Sequence, residues 1–314
     1  MSKKIIGALI FNMLLSSCIK DDLSNCPEQI RVYFSITTPE GADKINPDDV
    51  DRMNLYVFNH KGYYLGKYRD EHITDFDADN YYMDCSDLLP GKYRFIAWAG
   101  KDERCYNTAP EPFVAGKTKF EEALLILEHS NDLVTEKVHH LFHSILPATV
   151  TKEKVQRFDM PLIQITNTIN ISTVGYPIDA NDYTFEIVDN NCKYLFDRSF
   201  VTCPNTTFKY AADCVKDELF QLHSSLNVMR LAADRNTPQL QIYNETSGTL
   251  LYPFGSHSSD LIELIMNAYP ENDFDHTHTY NITLVFGEPK PSDTHIQLTI
   301  YINGWQVRNQ DVNF

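Results

Sequence analysis

The sequence predicts an all-β protein built from two tandem β-sandwich domains with a few short helices. From residue 30 onward, short runs of β-branched and aromatic residues alternate with polar residues and are separated by turn residues, as in strands. The chain has 314 residues and is 43% hydrophobic, which is enough for two cores. A strand-turn-strand pattern in the first half also recurs in the second. We therefore expect one domain at residues 30–160 and another at residues 161–314.

The first domain begins with a predicted strand at residues 30–35, which are rich in β-branched and aromatic side chains. Residues 54–59 and 63–68 flank a turn in which Gly62 can adopt the positive φ that a tight hairpin needs. These two segments are expected to pair as a hairpin.

A Pro-Gly turn precedes the next predicted strand, at residues 92–100. Tyr93 and Phe95 lie on one face of this segment, and Ile96 and Trp98 lie on the other. Since both faces are apolar near its end, we expect this strand at the centre of a sheet, buried on both sides.

The middle of the chain carries two further signals. Residues 120–125 fit a helical pattern, although a strand also fits there. Residues 160–172 alternate apolar and polar positions, as a half-buried strand does, and we place the domain boundary near Pro161.

The second domain repeats the pattern of the first. Residues 183–188 and 193–196 resemble the predicted hairpin at residues 54–68, which suggests two copies of one sandwich. A helix is expected at residues 260–268, capped by Ser258 or Ser259 and stopped by Pro270. The other predicted strands are residues 225–231, 239–243, 249–252, 280–286 and 296–302.

The closing segment, residues 296–307, is strongly patterned. It is either the last strand of the second domain or a strand offered to a neighbouring molecule.

The N-terminus has the layout of a secretory signal peptide at residues 1–17. A basic start is followed by an apolar run that is too short to span a membrane as a helix. The segment Leu-Ser-Ser-Cys that ends at Cys18 resembles the lipobox of bacterial lipoproteins, which implies a lipid on the Cys18 thiol. The alternative is an ordinary cleaved signal with a chance cysteine at its end.

Residues 18–29 form the expected lipidated tether. Lys20, Asp21 and Asp22 resemble the export signal of surface lipoproteins of the Bacteroidetes, which implies that the protein faces outward from the cell. The alternative is a solvated polar linker.

The net charge argues against some classes of partner, whereas the cysteine content leaves the disulfide pairing open. The chain has 43 acidic and 27 basic residues, and its net charge of −16 argues against nucleic acid as a partner and against binding to anionic lipid headgroups. Six cysteines other than Cys18 allow fifteen full pairings, and the sequence chooses none. These are Cys26, Cys85, Cys105, Cys192, Cys203 and Cys214.

Known catalytic and metal-binding motifs are absent from the sequence, which predicts a protein that is not an enzyme and has no cofactor. Residues 75–79 begin like a calcium loop, but Asn80 and Ser86 stand where Gly and Glu are needed. The histidines in two clusters lack acidic or cysteine partners at ligand spacing. They are His139, His140 and His143, and His276 and His278.

The order of several motifs resembles the FimB-like family of fimbrial anchor subunits from Bacteroidia. The Leu-Pro-Gly-Lys-Tyr-Arg-Phe stretch at residues 89–95 is itself similar to a strand of transthyretin-like sandwiches. Further parts of the resemblance are the lipoprotein start, residues 21–27, residues 55–58, residues 166–169 and residues 302–305.

This resemblance implies two tandem transthyretin-like Greek-key sandwiches and lipidation at Cys18 in the outer membrane. It also implies a subunit that attaches the base of a fimbrium to the cell surface, limits its length, and joins shaft subunits by β-strand complementation. Whether this chain accepts or donates a strand is open. Residues 25–29 contain no arginine or lysine, which fits an N-terminus that stays attached to its lipid.

Three other functions fit the sequence. One is a surface lipoprotein that binds glycans for nutrient capture, one is a fimbrial tip adhesin of the same fold, and one is a surface glycosidase.

Overall fold

The structure is a computed structural model of the chain, and it confirms the all-β class. It describes residues 29–36, 49–74, 76, 81–101, 104–134, 137–175, 183–201, 206–219, 221–233, 236–253, 258–287 and 298–307.

Among the described residues, ten strands lie in the first half of the chain. They are β1 (Gln29–Ile36), β2 (Arg52–Asn59), β3 (Tyr64–Asp70), β4 (Tyr82–Asp84), β5 (Gly91–Gly100), β6 (Tyr106–Ala109), β7 (Leu124–Leu127), β8 (Leu133–Val134), β9 (Leu141–Val150) and β10 (Val155–Gln164).

Eleven strands and one α-helix follow. They are β11 (Thr166–Val174), β12 (Tyr183–Asp189), β13 (Lys193–Leu195), β14 (Phe208–Asp213), β15 (Val215–Lys216), β16 (Leu222–Met229), β17 (Gln239–Asn244), β18 (Thr249–Tyr252), α1 (Leu261–Ala268), β19 (Thr279–Phe286), β20 (Leu298–Ile302) and β21 (Trp305–Gln306).

The first sandwich is a seven-stranded sheet, in the order β3-β2-β5-β9-β10-β1-β4, that folds over on itself. β9 and β10 are joined by only two residue pairs, and the ring of Phe95 on β5 lies 5.7 Å from that of Phe158 on β10. The apolar residues of both parts form one core. Its fully buried members include Val32, Phe34, Met53, Leu55, Phe95, Ala97, Phe142, Met160 and Leu162.

The second sandwich has two separate sheets. One has the order β15-β16-β11-β19-β20-β21, and the other has the order β18-β17-β12-β14-β8. The Tyr210 hydroxyl of the second sheet accepts a hydrogen bond of 3.1 Å from the Met229 N–H of the first. Fully buried side chains from both sheets fill the space between them, among them Ile169, Phe185, Ile187, Phe208, Val228, Leu240, Tyr280, Ile282 and Leu284.

Several sequence predictions are confirmed. β2 and β3 pair antiparallel, and Gly62 in the turn has φ +82°. β5 lies between β2 and β9, and its residues from Phe95 to Ala99 are buried. The predicted strands of the second half at residues 225–231, 239–243, 249–252 and 280–286 correspond to β16, β17, β18 and β19.

Residues 120–125 form no α-helix. A single 3-10 turn at Phe120–Glu122 leads directly into β7, so the strand alternative applies there. Phe120, Leu125 and Leu127 are buried in the core, as the inward positions of a short inner strand are.

The predicted single strand at residues 160–172 is two strands that belong to different sheets. The chain leaves the first sandwich at Gln164 and enters the second at Thr166. Between them, the Ile165 N–H donates to the Leu141 carbonyl at 2.8 Å, outside the ladder of β10 and β9. The division at residue 161 stays a prediction, and β10 runs across that position.

The second predicted hairpin, at residues 183–196, was wrong. β12 pairs with β14 and β17, whereas β13 pairs with β7 from the first half of the chain. The physical reason is burial, because Tyr194 and Phe196 are both fully buried in the body formed with the first half.

The helix α1 lies where the sequence predicts it, but its cap is Asp260. The Asp260 carboxylate accepts hydrogen bonds from the backbone N–H groups of Ile262 and Glu263 at 2.9 and 3.2 Å. Ser258 takes a supporting position, since its hydroxyl accepts from the Asp260 N–H at 3.2 Å. A carboxylate at this position also favours the positive end of the helix dipole.

The two halves of the chain exchange strands at a junction between the sandwiches. The order of a small sheet is β13-β7-β6, so two strands come from the first half and one from the second. The second half in turn receives a strand from the first, because β8 of the first half pairs in parallel with β14 of the second.

Phe196 is the centre of this junction. Its ring packs against Tyr56, Trp98 and Phe113 with centroid distances of 4.9, 5.8 and 5.3 Å, and its backbone N–H donates to the Ala123 carbonyl. Tyr56 and Trp98 lie on the face of β2 and β5 that points away from the core of the first sandwich. Phe196 of the second half therefore packs directly on the outer face of the first sandwich.

We predict that Phe196→Ala lowers the free energy of unfolding by about 3–5 kcal/mol, since a fully buried ring is lost and a cavity remains. Urea denaturation measures this change. The control is Leu219→Ala at a side chain that is 75% exposed, where a change within about 0.5 kcal/mol is expected. Equal small effects of both substitutions would contradict a junction that depends on this ring.

His143 adds a pH dependence to the same junction. Burial lowers the pKa of His143 from 6.5 to about 4, and its Nε2 lies 2.9 Å from the Phe196 carbonyl oxygen, to which the neutral ring donates. The unfolded chain takes up this proton near pH 6.5, but the folded chain does so only near pH 4. The stability that this histidine contributes is therefore lost as the pH falls between these values.

We predict that this loss is about 3 kcal/mol, and that His143→Gln removes it while keeping an N–H donor for Phe196. Urea denaturation of both proteins from pH 7 to about pH 4 measures the difference. Parallel stability curves over that range would exclude His143 as the titrating group.

Candidate functional site

The residues of the predicted lipidation site and export signal, Cys18, Lys20, Asp21 and Asp22, lie outside the described residues. The structure does show where the chain that follows them enters the fold. Gln29 is the first residue of β1, and its N–H donates to the Lys154 carbonyl at 2.7 Å. β1 lies between β10 and β4, so the chain enters at an inner strand of the first sandwich.

Among the described residues, no helix is long and apolar enough to cross a membrane, and no group of three or more His, Cys, Asp or Glu residues is arranged to hold a metal ion. Residues 75–79, which only begin like a calcium loop, lie outside the described residues apart from Phe76.

Histidines of both clusters make contacts within the fold. His143 lies in the junction, with its ring centroid 4.5 Å from that of Trp98. His276 pairs with Asp273 at 2.5 Å, and His278 is buried, with its carbonyl accepting from the Thr168 N–H.

Sheet edges are the places where an extended segment of another protein can add. In the part of the chain that the structure describes, β3 is one of the strands at a sheet edge. The backbone groups of its first residue already have hydrogen-bond partners. The Tyr64 N–H donates to the Thr118 carbonyl, and the Tyr64 carbonyl accepts from Gly116. The other edge strands are β4, β6, β8, β13, β15, β18 and β21.

The edge at β21 is formed by a C-terminal hairpin. Asn303 and Gly304 have φ values of +49° and +81°, which is the pattern of a two-residue type I′ turn. Asn303 also ties the turn to β19, because its side-chain oxygen accepts from the Asn281 N–H at 2.8 Å. The predicted last strand is therefore β20, within the second sandwich, and a short return strand follows it.

An exposed aromatic pair marks this hairpin, hereafter the hairpin edge (β20, β21 and Tyr269). Trp305 is 61% exposed, and Tyr269, at the C-terminal end of α1, is 45% exposed. Their rings stack with centroids 6.3 Å apart and an interplanar angle of 12°. Large exposed aromatic side chains are typical of contact sites, where Trp and Tyr supply much of the binding energy.

A second feature is a cavity of about 680 Å³ among loops of the second sandwich. Arg198 and Arg230 line it together with Asp197, Asp273 and Asp275, and Arg230 forms an ion pair with Asp275 at 2.5 Å. Burial and the nearby Arg230 lower the pKa of Arg198. Three carboxylates lie beside two guanidinium groups in this lining, so the cavity does not favour an anionic ligand.

The comparisons with known proteins give a consistent result. The family model described as fimbrillin-A associated anchor proteins Mfa1 and Mfa2 matches residues 23–311. The chain belongs to this family.

A relative of this fimbrial anchor family is the minor fimbrium anchoring subunit Mfa2 of Porphyromonas gingivalis. It is 22% identical over 315 residues, which cover 95% of this chain and 92% of the relative. The resemblance to fimbrial anchor subunits that the sequence indicates is confirmed.

Solved structures show the same fold. The fimbrial anchor protein Mfa2 of Porphyromonas gingivalis superposes with a TM-score of 0.71 at 18% identity, covering 90% of this chain and 99% of that one. A protein from Bacteroides thetaiotaomicron also has a TM-score of 0.71, at 23% identity, with coverage of 90% and 99%. The architecture of the anchor family is therefore present over nearly the whole chain.

The aromatic pair of the hairpin edge was not predicted from the sequence. The Asn303-Gly304 dipeptide is a strong turn signal that identifies the hairpin. No local signal brings Tyr269 to Trp305, because 35 residues separate them and only the packing of α1 beside β20 places them together.

Proposed function

We propose that this protein is the lipid-anchored subunit that attaches the base of a fimbrium to the outer membrane and limits its length. The family match over residues 23–311 carries this proposal. The signal peptide and the lipobox that ends at Cys18 add the means of attachment. The lipid on Cys18 holds the N-terminus, because several acyl chains together bind a membrane almost permanently.

The short tether at residues 18–29 then leads into the first sandwich. Lys20, Asp21 and Asp22 direct the lipidated protein to the outer surface, where protease treatment of intact cells would reach it. A subunit that is tethered at one end and binds a shaft subunit elsewhere offers no end for a further subunit. Filament growth therefore stops where this protein is added.

The joint to the shaft is β-strand complementation at the hairpin edge. β21 has two residues and an exposed Trp305, so a segment of the first shaft subunit can extend the six-stranded sheet beyond it. The main chain of the added strand supplies hydrogen bonds, and the stacked rings of Trp305 and Tyr269 supply apolar contact. This edge belongs to the second sandwich, away from the strand that the tether enters.

We predict that Cys18→Ala releases fimbriae from the cells, because the proposed covalent attachment to the membrane is lost. Electron microscopy of cells and medium should show filaments that are shed or abnormally long. Mass spectrometry of the unaltered protein should show an acylated N-terminal cysteine. Ser24→Ala, a change of similar size within the tether, is the control and should leave the fimbriae unchanged. Cell-bound filaments of normal length on Cys18→Ala cells would refute lipid anchoring through this residue.

We predict that Trp305→Ala weakens binding of a purified shaft subunit by at least about 10-fold, since Trp residues at interface centres contribute about 2 kcal/mol or more. Surface plasmon resonance measures the affinity. Val215→Ala is the matched control, because Val215 is 66% exposed on the opposite edge of the same sheet. If Val215→Ala weakens binding and Trp305→Ala does not, the shaft binds elsewhere.

A further inference from the structure

A second cleft lies between the outer face of the first sandwich and the small sheet of the junction. Its volume is about 300 Å³, and residues from β2, β3, β5 and β6 line it. This position is independent of the hairpin edge and of the lipid, so it has no part in the attachment proposed above. Clefts at the boundary between two packed units are common places for small ligands.

Strand register builds the floor of this cleft. Arg69 on β3 lies opposite Asn54 on β2, and Asn54 lies opposite Trp98 on β5, which gives one cross-strand row. The next row pairs Lys67 with Tyr56, and the Lys67 ammonium lies 5.6 Å from the centre of the Tyr56 ring. The floor is therefore held by the sheet itself and combines aromatic rings with cationic side chains.

Two N–H groups in the cleft have no hydrogen-bond acceptor among the described residues. One is the indole Nε1 of Trp98, a side chain that is 4% exposed, and the other is the Nε of Arg52. A buried donor without an acceptor costs about 1–3 kcal/mol. Both side chains line the cleft, and an oxygen atom of a ligand that comes within hydrogen-bond distance of these N–H groups would satisfy them.

The lining carries more cationic than acidic side chains. Arg52, Lys67 and Arg69 line the cleft, and Glu111 is the acidic residue among the lining side chains. Two acids outside the lining, Asp51 and Glu71, pair with the arginines, at 3.9 Å from the Arg52 Nε in the first case. The paired acids offset part of this charge, and the cations of the lining, with Lys67 over the Tyr56 ring, favour an anionic ligand over a cationic one.

The side of the cleft formed by β6 and the residues after it carries hydroxyl and carboxylate groups. Thr108 on β6 and Glu111 beyond it supply a hydroxyl and a carboxylate, which bind ligand hydroxyl groups. The cleft also contains His140, and burial lowers the pKa of this ring, which favours its neutral form at neutral pH. A ligand that fits both walls has a carboxylate at one end and hydroxyl groups at the other.

We propose that this cleft binds a sugar acid, with its carboxylate held by the Trp98 indole N–H and the Arg52 guanidinium, and its hydroxyl groups facing Thr108 and Glu111. A volume of about 300 Å³ is at the small end of ligand sites and suits a single ring unit. An added peptide strand fits less well, because Pro110 and Pro112 follow β6 and have no N–H to continue a ladder.

Isothermal titration calorimetry of the full chain with galacturonate and with galactose tests this proposal. Galacturonate is expected to bind at least about 10-fold more tightly than galactose, because the neutral sugar leaves the two N–H donors and the cations without an anion. Trp98→Phe keeps an aromatic ring of smaller size and removes the N–H, and it should weaken galacturonate binding by about 10-fold. Trp305→Phe is the matched control and should leave binding unchanged.

Equal binding of galacturonate and galactose would overturn the proposal, and so would full affinity in Trp98→Phe. Binding of a short poly-glutamate peptide in the absence of galacturonate binding would also overturn it, because the anion recognised would then be a peptide. A circular dichroism spectrum of Trp98→Phe that matches that of the unaltered protein at the titration temperature shows that a loss of binding is not a loss of folding, and this control holds although the smaller ring lowers the melting temperature. None of these results bears on shedding of fimbriae by Cys18→Ala, so failure here is distinguishable from failure of the anchor function.

Discussion

The packing of Phe196 against the outer face of the first sandwich is the contact on which the whole arrangement depends. A sheet in a sandwich usually has one face in the core and one in water. Here β2 and β5 carry apolar side chains on both faces, and Tyr56, Ile96 and Trp98 are buried in a cluster that contains Phe196 of the second half together with residues of β6 and β7 of the first. The core of the second sandwich therefore continues onto the outer face of the first as one apolar body, whereas the core of the first sandwich is a separate cluster.

Buried polar groups give this body a single geometry. The Tyr194 hydroxyl accepts from the Arg230 N–H at 2.8 Å, and the Asn191 side chain donates to the Arg230 carbonyl at 2.9 Å. Asn167 joins two further segments, because its side-chain oxygen accepts from Leu231 and its amide nitrogen donates to the Thr277 carbonyl. Apolar packing tolerates sliding, whereas buried hydrogen bonds are satisfied only in one register. These hydrogen bonds all lie in the second half of the chain, so they fix the segments that hold Tyr194 and Phe196 in place.

Local signals predicted the parts of the fold that form between neighbours in sequence. The β2–β3 hairpin depends on Gly62, and β19 depends on strict alternation, so both could be identified. The pairing of β13 with β7 could not be identified, because about 70 residues separate these strands and such short strands have no sequence pattern that specifies a partner. The end of β10 and the start of β11 on either side of Ile165 could not be identified either, because the alternation of apolar and polar residues continues across this position. Tertiary packing, not propensity, decided these cases.

The candidate sites divide in the same way. Cys18 belongs to a linear motif, so the sequence alone predicts it as the lipidation site. The exposed pair of Trp305 and Tyr269, and the cleft around Trp98, are assembled from distant segments, and composition does not distinguish them from core aromatics.

The parallel pairing of β1 with β10 has a mechanical consequence. Eight residue pairs join these strands, from Gln29 opposite Val155 to Ile36 opposite Leu162, and β4 holds the other side of β1. A pull at Gln29 along the axis of β1 is resisted by the hydrogen bonds of both ladders together, which do not open one after another. Under the proposed attachment, drag on a filament in that direction would load β1 in shear, the direction in which a strand is hardest to extract from its sheet.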